Sequence, residues 1–155
     1  MERKGRQQHG VSPNPAAARL ACGSIGHDHG MSLALDTVNR MIESIETGDL
    51  DGLRACYSPD IVVWANFDGQ ARDLESSMRV VGWLVSSTAD RRYEVKRRIE
   101  IEGGVLQQHV LHGTVAATGK TFSMPACLIV TLRGDLITHL DEYLDPAVMT
   151  PAFAE

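Results

Sequence analysis

No apolar run in this chain of 155 residues approaches the ~18 residues that a membrane-spanning helix needs, so a soluble domain without a membrane partner is expected. Cysteine is scarce and poorly spaced for chemistry. Cys22, Cys56 and Cys127 form neither an even-numbered disulfide framework nor a CxxC pair, which points to a reducing, cytoplasmic setting. The glycine-rich fingerprints of nicotinamide and P-loop nucleotide binding are missing too, and no cofactor is expected. Basic residues are outnumbered, 15 Lys and Arg against 20 Asp and Glu. Because residues 1–30 hold four of the basic side chains against Glu2 and Asp28, the remainder sits near −7. Such a surface repels a phosphate backbone, and no nucleic-acid partner is expected.

Residues 1–30 also lack any sustained hydrophobic period, and Gly, Pro, Ala, Gln and Ser dominate them. They read as a disordered N-terminal arm ahead of one domain over residues 31–155. Arg3, Lys4 and Arg6 are followed by polar residues where a signal peptide would have an apolar stretch. Leu20-Ala21-Cys22 is a poor lipidation site for the same reason. His27-Asp28-His29 supplies two imidazoles and a carboxylate with no downstream Cys/His pair at ligand spacing, so it reads as solvated and no metal is expected.

What the chain does have is a long stretch of alternation from Val105 to Asp145. Val105, Gln107, His109, Leu111 and Gly113 share one face of a first strand; Phe122, Met124, Ala126, Leu128, Val130 and Leu132 share a face of a second; Leu136, Thr138, Leu140, Glu142 and Leu144 share a face of a third. Glycine-containing turns at Thr118-Gly119 and Gly134 separate them. Upstream, Leu35, Val38, Met41, Ile42 and Ile45 form a helical stripe that ends at Gly48, and Asp49 can cap a short second helix through Leu50, Leu53, Cys56 and Tyr57. Ile61 to Phe67 is β-branched and aromatic, therefore a strand, closed by Asp68-Gly69. A third helix is capped near Asp73 and buries Leu74, Met78, Val81, Leu84 and Val85. Tyr93, Val95, Ile99 and Ile101 then alternate with charged residues as a half-buried strand. The expected class is α+β, with helices laid on one side of a curved antiparallel sheet.

That order, with Gly48-Asp49-Leu50-Asp51-Gly52 between the first helices and Asp141-Glu142-Tyr143-Leu144-Asp145-Pro146-Ala147 at the end, resembles the SnoaL-like family of the nuclear transport factor 2-like superfamily. The resemblance covers about Leu33 to Phe153. It implies a cone-shaped α+β barrel, a homodimer, and one apolar pocket for a hydrophobic small molecule. Related ketosteroid isomerases and limonene epoxide hydrolases imply site positions, which this chain fills differently. The isomerases' first-helix tyrosine corresponds to Met41, their base falls near Ala65 or Asn66, and their hydrogen-bonding acid falls near Cys127 or Leu128. Against the hydrolases, Trp64 and Asn66 resemble the aromatic-x-Asn pair, the Arg-x-Asp pair becomes His109-x-Leu111, and the last-strand acid corresponds to Glu142.

The polar residues at inward parity are therefore the candidate site. His109 and Glu142 are expected to line one cavity as catalytic residues, with Trp64, Asn66 and Gln107 as substrate-binding residues. Two readings of His109 and Glu142 stand: a general acid–base pair, or a buried His–Glu hydrogen bond that merely satisfies two side chains. Tyr143, Asp141, Asp145, His112 and His139 take the outward parity. Cys127, Ile129, Ile137 and Tyr143 make an outer face apolar enough for a dimer interface. The activity expected is cofactor-free acid–base chemistry, such as isomerisation, cyclisation or hydration of a hydrophobic cyclic substrate, or ligand binding without chemistry on the same fold.

Overall fold

The structure is a computed structural model that describes residues 29–154. The arm expected over residues 1–30 lies outside the described residues except for His29 and Gly30, whose backbone opens the first helix. Helix α1 (His29–Thr47) buries Ala34, Val38, Met41, Ile42 and Ile45 along one face and is stopped by Gly48 at φ +80°, a conformation that glycine adopts without a Cβ clash. Asp49 caps α2 (Leu50–Cys56) by accepting a hydrogen bond from the Gly52 amide at 2.9 Å. Strand β1 (Tyr57–Ala65) starts four residues earlier than the β-branched run suggests. Pro59 is accommodated because the pairing with the last strand is irregular between Tyr57 and Val62, the kind of site where a missing amide costs no ladder bond. After the two-residue β2 (Ala71–Arg72), Asp73 caps α3 (Leu74–Ser87) through the Ser76 amide at 2.8 Å. Strands β3 (Thr88–Ile101), β4 (Gly104–Val115), β5 (Thr121–Arg133) and β6 (Leu136–Leu144) follow, and the chain closes with a 3-10 turn (Pro146–Met149) and a short α4 (Thr150–Phe153).

The six strands form one curved, unclosed sheet in the order β2-β1-β6-β5-β4-β3. The pairs are antiparallel as expected, apart from β1 beside β6, which run parallel. One apolar cluster joins α1, α2 and β1 to the inner residues Val105, Leu128, Val130 and Leu140; a second joins Leu111, Val115, Phe122 and Met124 to Met149 and Ala152 of the closing segment. Among the described residues no helix is long and apolar enough to cross a membrane.

Two β-bulges correct the simple alternation. In β3 the register slips between Val95 and Arg97, so Arg98 stands opposite Gln107 on the inner side while Ile99 and Ile101, expected inward, lie exposed on the outer side. In β6 the register slips against Thr131 and Leu132, so Ile137 faces Leu132 and is wholly buried, whereas Leu136, expected inward, pairs with Arg133 at the outer parity. Each bulge inserts one residue and so inverts parity on one side of it. Ile137 is thereby removed from the apolar outer face to which simple alternation assigns it.

At the start of β4, a Cβ built on Gly104 would come within 2.0 Å of the Val130 carbonyl oxygen, a backbone atom that cannot step aside. Gly104→Ala should therefore lower stability by about 3 kcal/mol, the scale of forced overpacking, with the folded secondary structure retained. Thermal unfolding followed by circular dichroism checks this; an unchanged melting temperature would contradict the close approach.

Candidate functional site

Strands β4, β5 and β6 aim His109, Ala126 and Glu142 into the same enclosed space. His109 pairs with Ala126, and Glu142 pairs with Leu128 on the other side of β5, so the two polar groups lie two strand spacings apart, roughly 10 Å across the sheet. Ala126, the small residue between them, leaves the space open. The resulting cavity measures about 190 Å³. Its walls are mainly apolar, with Met41 and Ile45 from α1, Val63 from β1, Leu84 from α3, and Pro146 and Met149 from the closing segment. Polar atoms are few: His109, Glu142, Tyr57, Tyr93, Arg72 and Ser77 line it, together with the indole of Trp83 at its exposed edge.

Burial acts on the two ionisable groups in opposite directions. It disfavours the charged carboxylate and pushes Glu142 up to about 7, with Arg72 on the same wall pulling the other way. It disfavours the imidazolium and, helped by the positive charge of Arg98, holds His109 down at about 4. Near neutral pH the cavity therefore contains a carboxyl group poised between its two forms and an uncharged imidazole. The hydroxyls of Tyr57 and Tyr93 are buried and pushed above the usual phenol range, so both remain protonated. The Tyr93 ring leans on His109, with centroids 4.7 Å apart and planes at 46°.

The hydrogen bonds around His109 run along the inner face of β4 and across to β3, and none of them reaches Glu142. His109 Nδ1 meets Gln107 Nε2 at 3.2 Å, Gln107 Oε1 accepts from Arg98 Nε at 2.7 Å, and Arg98 also donates to Asn39 Oδ1. Among the described residues neither the Glu142 carboxyl nor His109 Nε2 has a protein partner, and the two are not bonded to each other. Mutual satisfaction of a buried His–Glu pair is thus not what the geometry shows.

The other three expected residues fall outside the cavity wall. Gln107 is fully buried beside His109 on the inner face of β4. Trp64 and Asn66 are corrected on parity: β1 turns Val63 and Ala65 inward, which leaves Trp64 on the outer face against Tyr143, ring centroids 5.5 Å apart. Asn66 lies past the end of the strand, where its Oδ1 accepts from the Leu144 amide at 2.8 Å. Sequence reasoning missed Tyr57, Arg72, Trp83 and Arg98. Arg72 sits in a two-residue strand with no periodicity to betray it, and Arg98 was hidden by the bulge. Tyr57 follows directly on a helical stripe, and nothing in the sequence distinguishes its hydroxyl from a core ring. No cluster of three or more His, Cys, Asp or Glu at metal-holding distance occurs among the described residues.

Residues 38–140 match the family model of the SnoaL-like domain, well over half of the chain. The chain belongs to the SnoaL-like family. No curated protein matches it in sequence. Among solved structures, the SnoaL-like fold seen here is similar to that of IdmH from Streptomyces antibioticus, a proposed polyketide cyclase, at 23% identity and a TM-score of 0.67 over 77% of this chain and 96% of that one. It is also similar to AclR of Streptomyces galilaeus, a proposed hydroxylase (16% identity, TM-score 0.71, 78% and 95% covered), and to an LEH-like epoxide hydrolase of M. tuberculosis (15%, 0.65, 79% and 90%). At these identities the likeness establishes the fold, whose members differ in chemistry.

The opposed shifts have an observable consequence. Above about pH 4.5 the unfolded chain releases the Glu142 proton that the folded chain keeps until about 7, so this group reduces stability progressively between those values and by its full amount above 7. His109 acts with the opposite sign: its contribution is present above about 6.5 and is lost as pH falls toward 4. Relative to the parent protein, Glu142→Gln should therefore gain stability as pH rises from 4.5 to 7.5, by up to about 3 kcal/mol. Urea unfolding of both proteins across that range measures it, and a pH-independent difference would mean that the carboxyl is not desolvated.

Proposed function

We propose that this SnoaL-like domain is a cofactor-free acid–base enzyme that acts on a hydrophobic cyclic small molecule by isomerisation, cyclisation or hydration. The observation that carries this reading is Glu142, a carboxyl group without a hydrogen-bond partner among the described residues, poised near neutrality inside an apolar cavity. A structural carboxylate would be ion-paired or solvated; one held at about 7 accepts and returns a proton at physiological pH. The apolar walls contribute in two ways. They bind the hydrocarbon body of a ligand, and they keep water from competing for the proton. His109, Tyr57 and Tyr93 provide neutral polar contacts for the ligand's oxygen atoms.

A second reading, a ligand-binding protein without turnover, is favoured by one feature: Met41 and Leu111 stand where related isomerases and hydrolases have catalytic groups, and both line the cavity as plain hydrophobes. Assaying cyclic ketones, epoxides and polyketide-like ketones for turnover, alongside thermal-shift stabilisation, separates the two; stabilisation without turnover supports the binding protein. For the enzyme, Glu142→Gln should lower turnover about a hundredfold or more with the fold intact, and the parent rate should rise with pH through an apparent pKa near 7. Retained activity in that variant would remove the proposal.

We also propose that the protein is a homodimer through the outer sheet face. Val62, Trp64, Ile99, Ile101 and Tyr143 leave this face unusually apolar for a surface in water, with Tyr143 45% exposed. Light scattering at micromolar concentration should return twice the chain mass, and Tyr143→Lys should shift it towards the monomer. A monomer mass for the parent protein would refute it.

A further inference from the structure

We infer that Arg98 and Gln107 are positioning residues that fix His109 as a hydrogen-bond donor to the cavity. The inference stands on geometry alone and does not depend on the acid–base reading of Glu142.

The chain of donors has one consistent solution. A guanidinium has only N–H groups to offer, so the Gln107 atom that meets Arg98 Nε at 2.7 Å must be the carbonyl oxygen. The amide NH₂ is thereby turned towards His109 Nδ1 at 3.2 Å. An NH₂ group can only donate, so Nδ1 must present its lone pair and the ring proton must sit on Nε2. Gln107 is wholly buried and cannot exchange either partner for water, and turning its amide over would oppose donor to donor at Arg98. Protonating His109 Nδ1 would oppose N–H to N–H in the same way. The β3 bulge between Val95 and Arg97 is what brings Arg98 to the inner side opposite Gln107, and Asn39 on α1 holds the guanidinium from beyond. The remaining nitrogen, Nε2, has no protein partner among the described residues and belongs to a ring that lines the cavity.

A donor at that point selects among acid–base reactions. As a neutral N–H, His109 cannot accept a proton from water through Nε2, which disfavours water activation by the imidazole. It does suit an oxygen that gains negative charge.

Nitrogen-15 NMR of the histidine-labelled full chain at pH 7 tests the tautomer without any ligand. His109 should show the Nε2–H form in the parent protein. Gln107→Glu, which replaces the donor with an acceptor, should convert it to the Nδ1–H form or the imidazolium. Arg98→Met frees the amide and should give a mixture, and it serves alone if the first variant does not fold. An Nδ1–H or charged ring in the parent, or a tautomer unmoved in the folded variants, overturns the positioning role.

Discussion

A carboxyl group facing an apolar cavity without a hydrogen-bond partner is difficult to ionise, and the site takes its character from that difficulty at Glu142. Solvent would hold the group near its ordinary value, and a salt bridge would hold it lower still. Here Arg72, the one cation among the described residues on the same wall, is itself engaged by Asp68 and lies over the Phe67 ring, so its pull on Glu142 is partial. Desolvation prevails, and the proton is held to near neutrality. The same burial that raises Glu142 lowers His109, so one main physical cause prepares two unlike groups on opposite sides of one space.

Keeping that space apolar and open is the work of the fold. Curvature of the sheet brings β4 and β6 towards each other across β5, and the methyl of Ala126 occupies little of the gap. Helices α1 and α3 cover one end. The closing segment covers another, tied back to the β4–β5 hairpin by Thr118, whose hydroxyl donates to the Ala152 carbonyl at 2.6 Å, and by Lys120, which donates to the Ala154 carbonyl at 2.7 Å. Trp83 stacks on Phe153 at the rim, 5.6 Å between centroids, joining α3 to that segment. Pro146 and Met149 are thereby held against the cavity.

The SnoaL-like framework accounts for the cavity but not for what is done in it. Met41 and Leu111 line the cavity as plain hydrophobes, and the acid among its lining residues is Glu142 on the last strand. Its counterpart across the cavity is a histidine whose ring is governed by Gln107 and Arg98. Function on a shared fold is decided by a few such side chains.

The sequence by itself determined the elements and most of the inner face. The caps at Asp49 and Asp73, the stop at Gly48 and the alternation of β4 and β5 are local, set by neighbours a few residues away, and all are read correctly from the chain. For the same reason His109 and Glu142 are legible: each sits in an unbroken stretch of period two beside aliphatic residues that must be buried. Tertiary structure decided the rest. Whether Ile137 or Leu136 enters the core, and whether Arg98 or Ile99 faces inward, depends on where a strand slips against its neighbour, a matter of pairing between distant segments. Trp64 and Asn66 were misplaced because the inward set of β1 is settled by its pairing with β6 and by the helices over it. Whether a polar group at inward parity finds a partner is likewise a matter of how the strands meet, and only the folded sheet leaves Glu142 without one among the described residues and gives His109 one in Gln107.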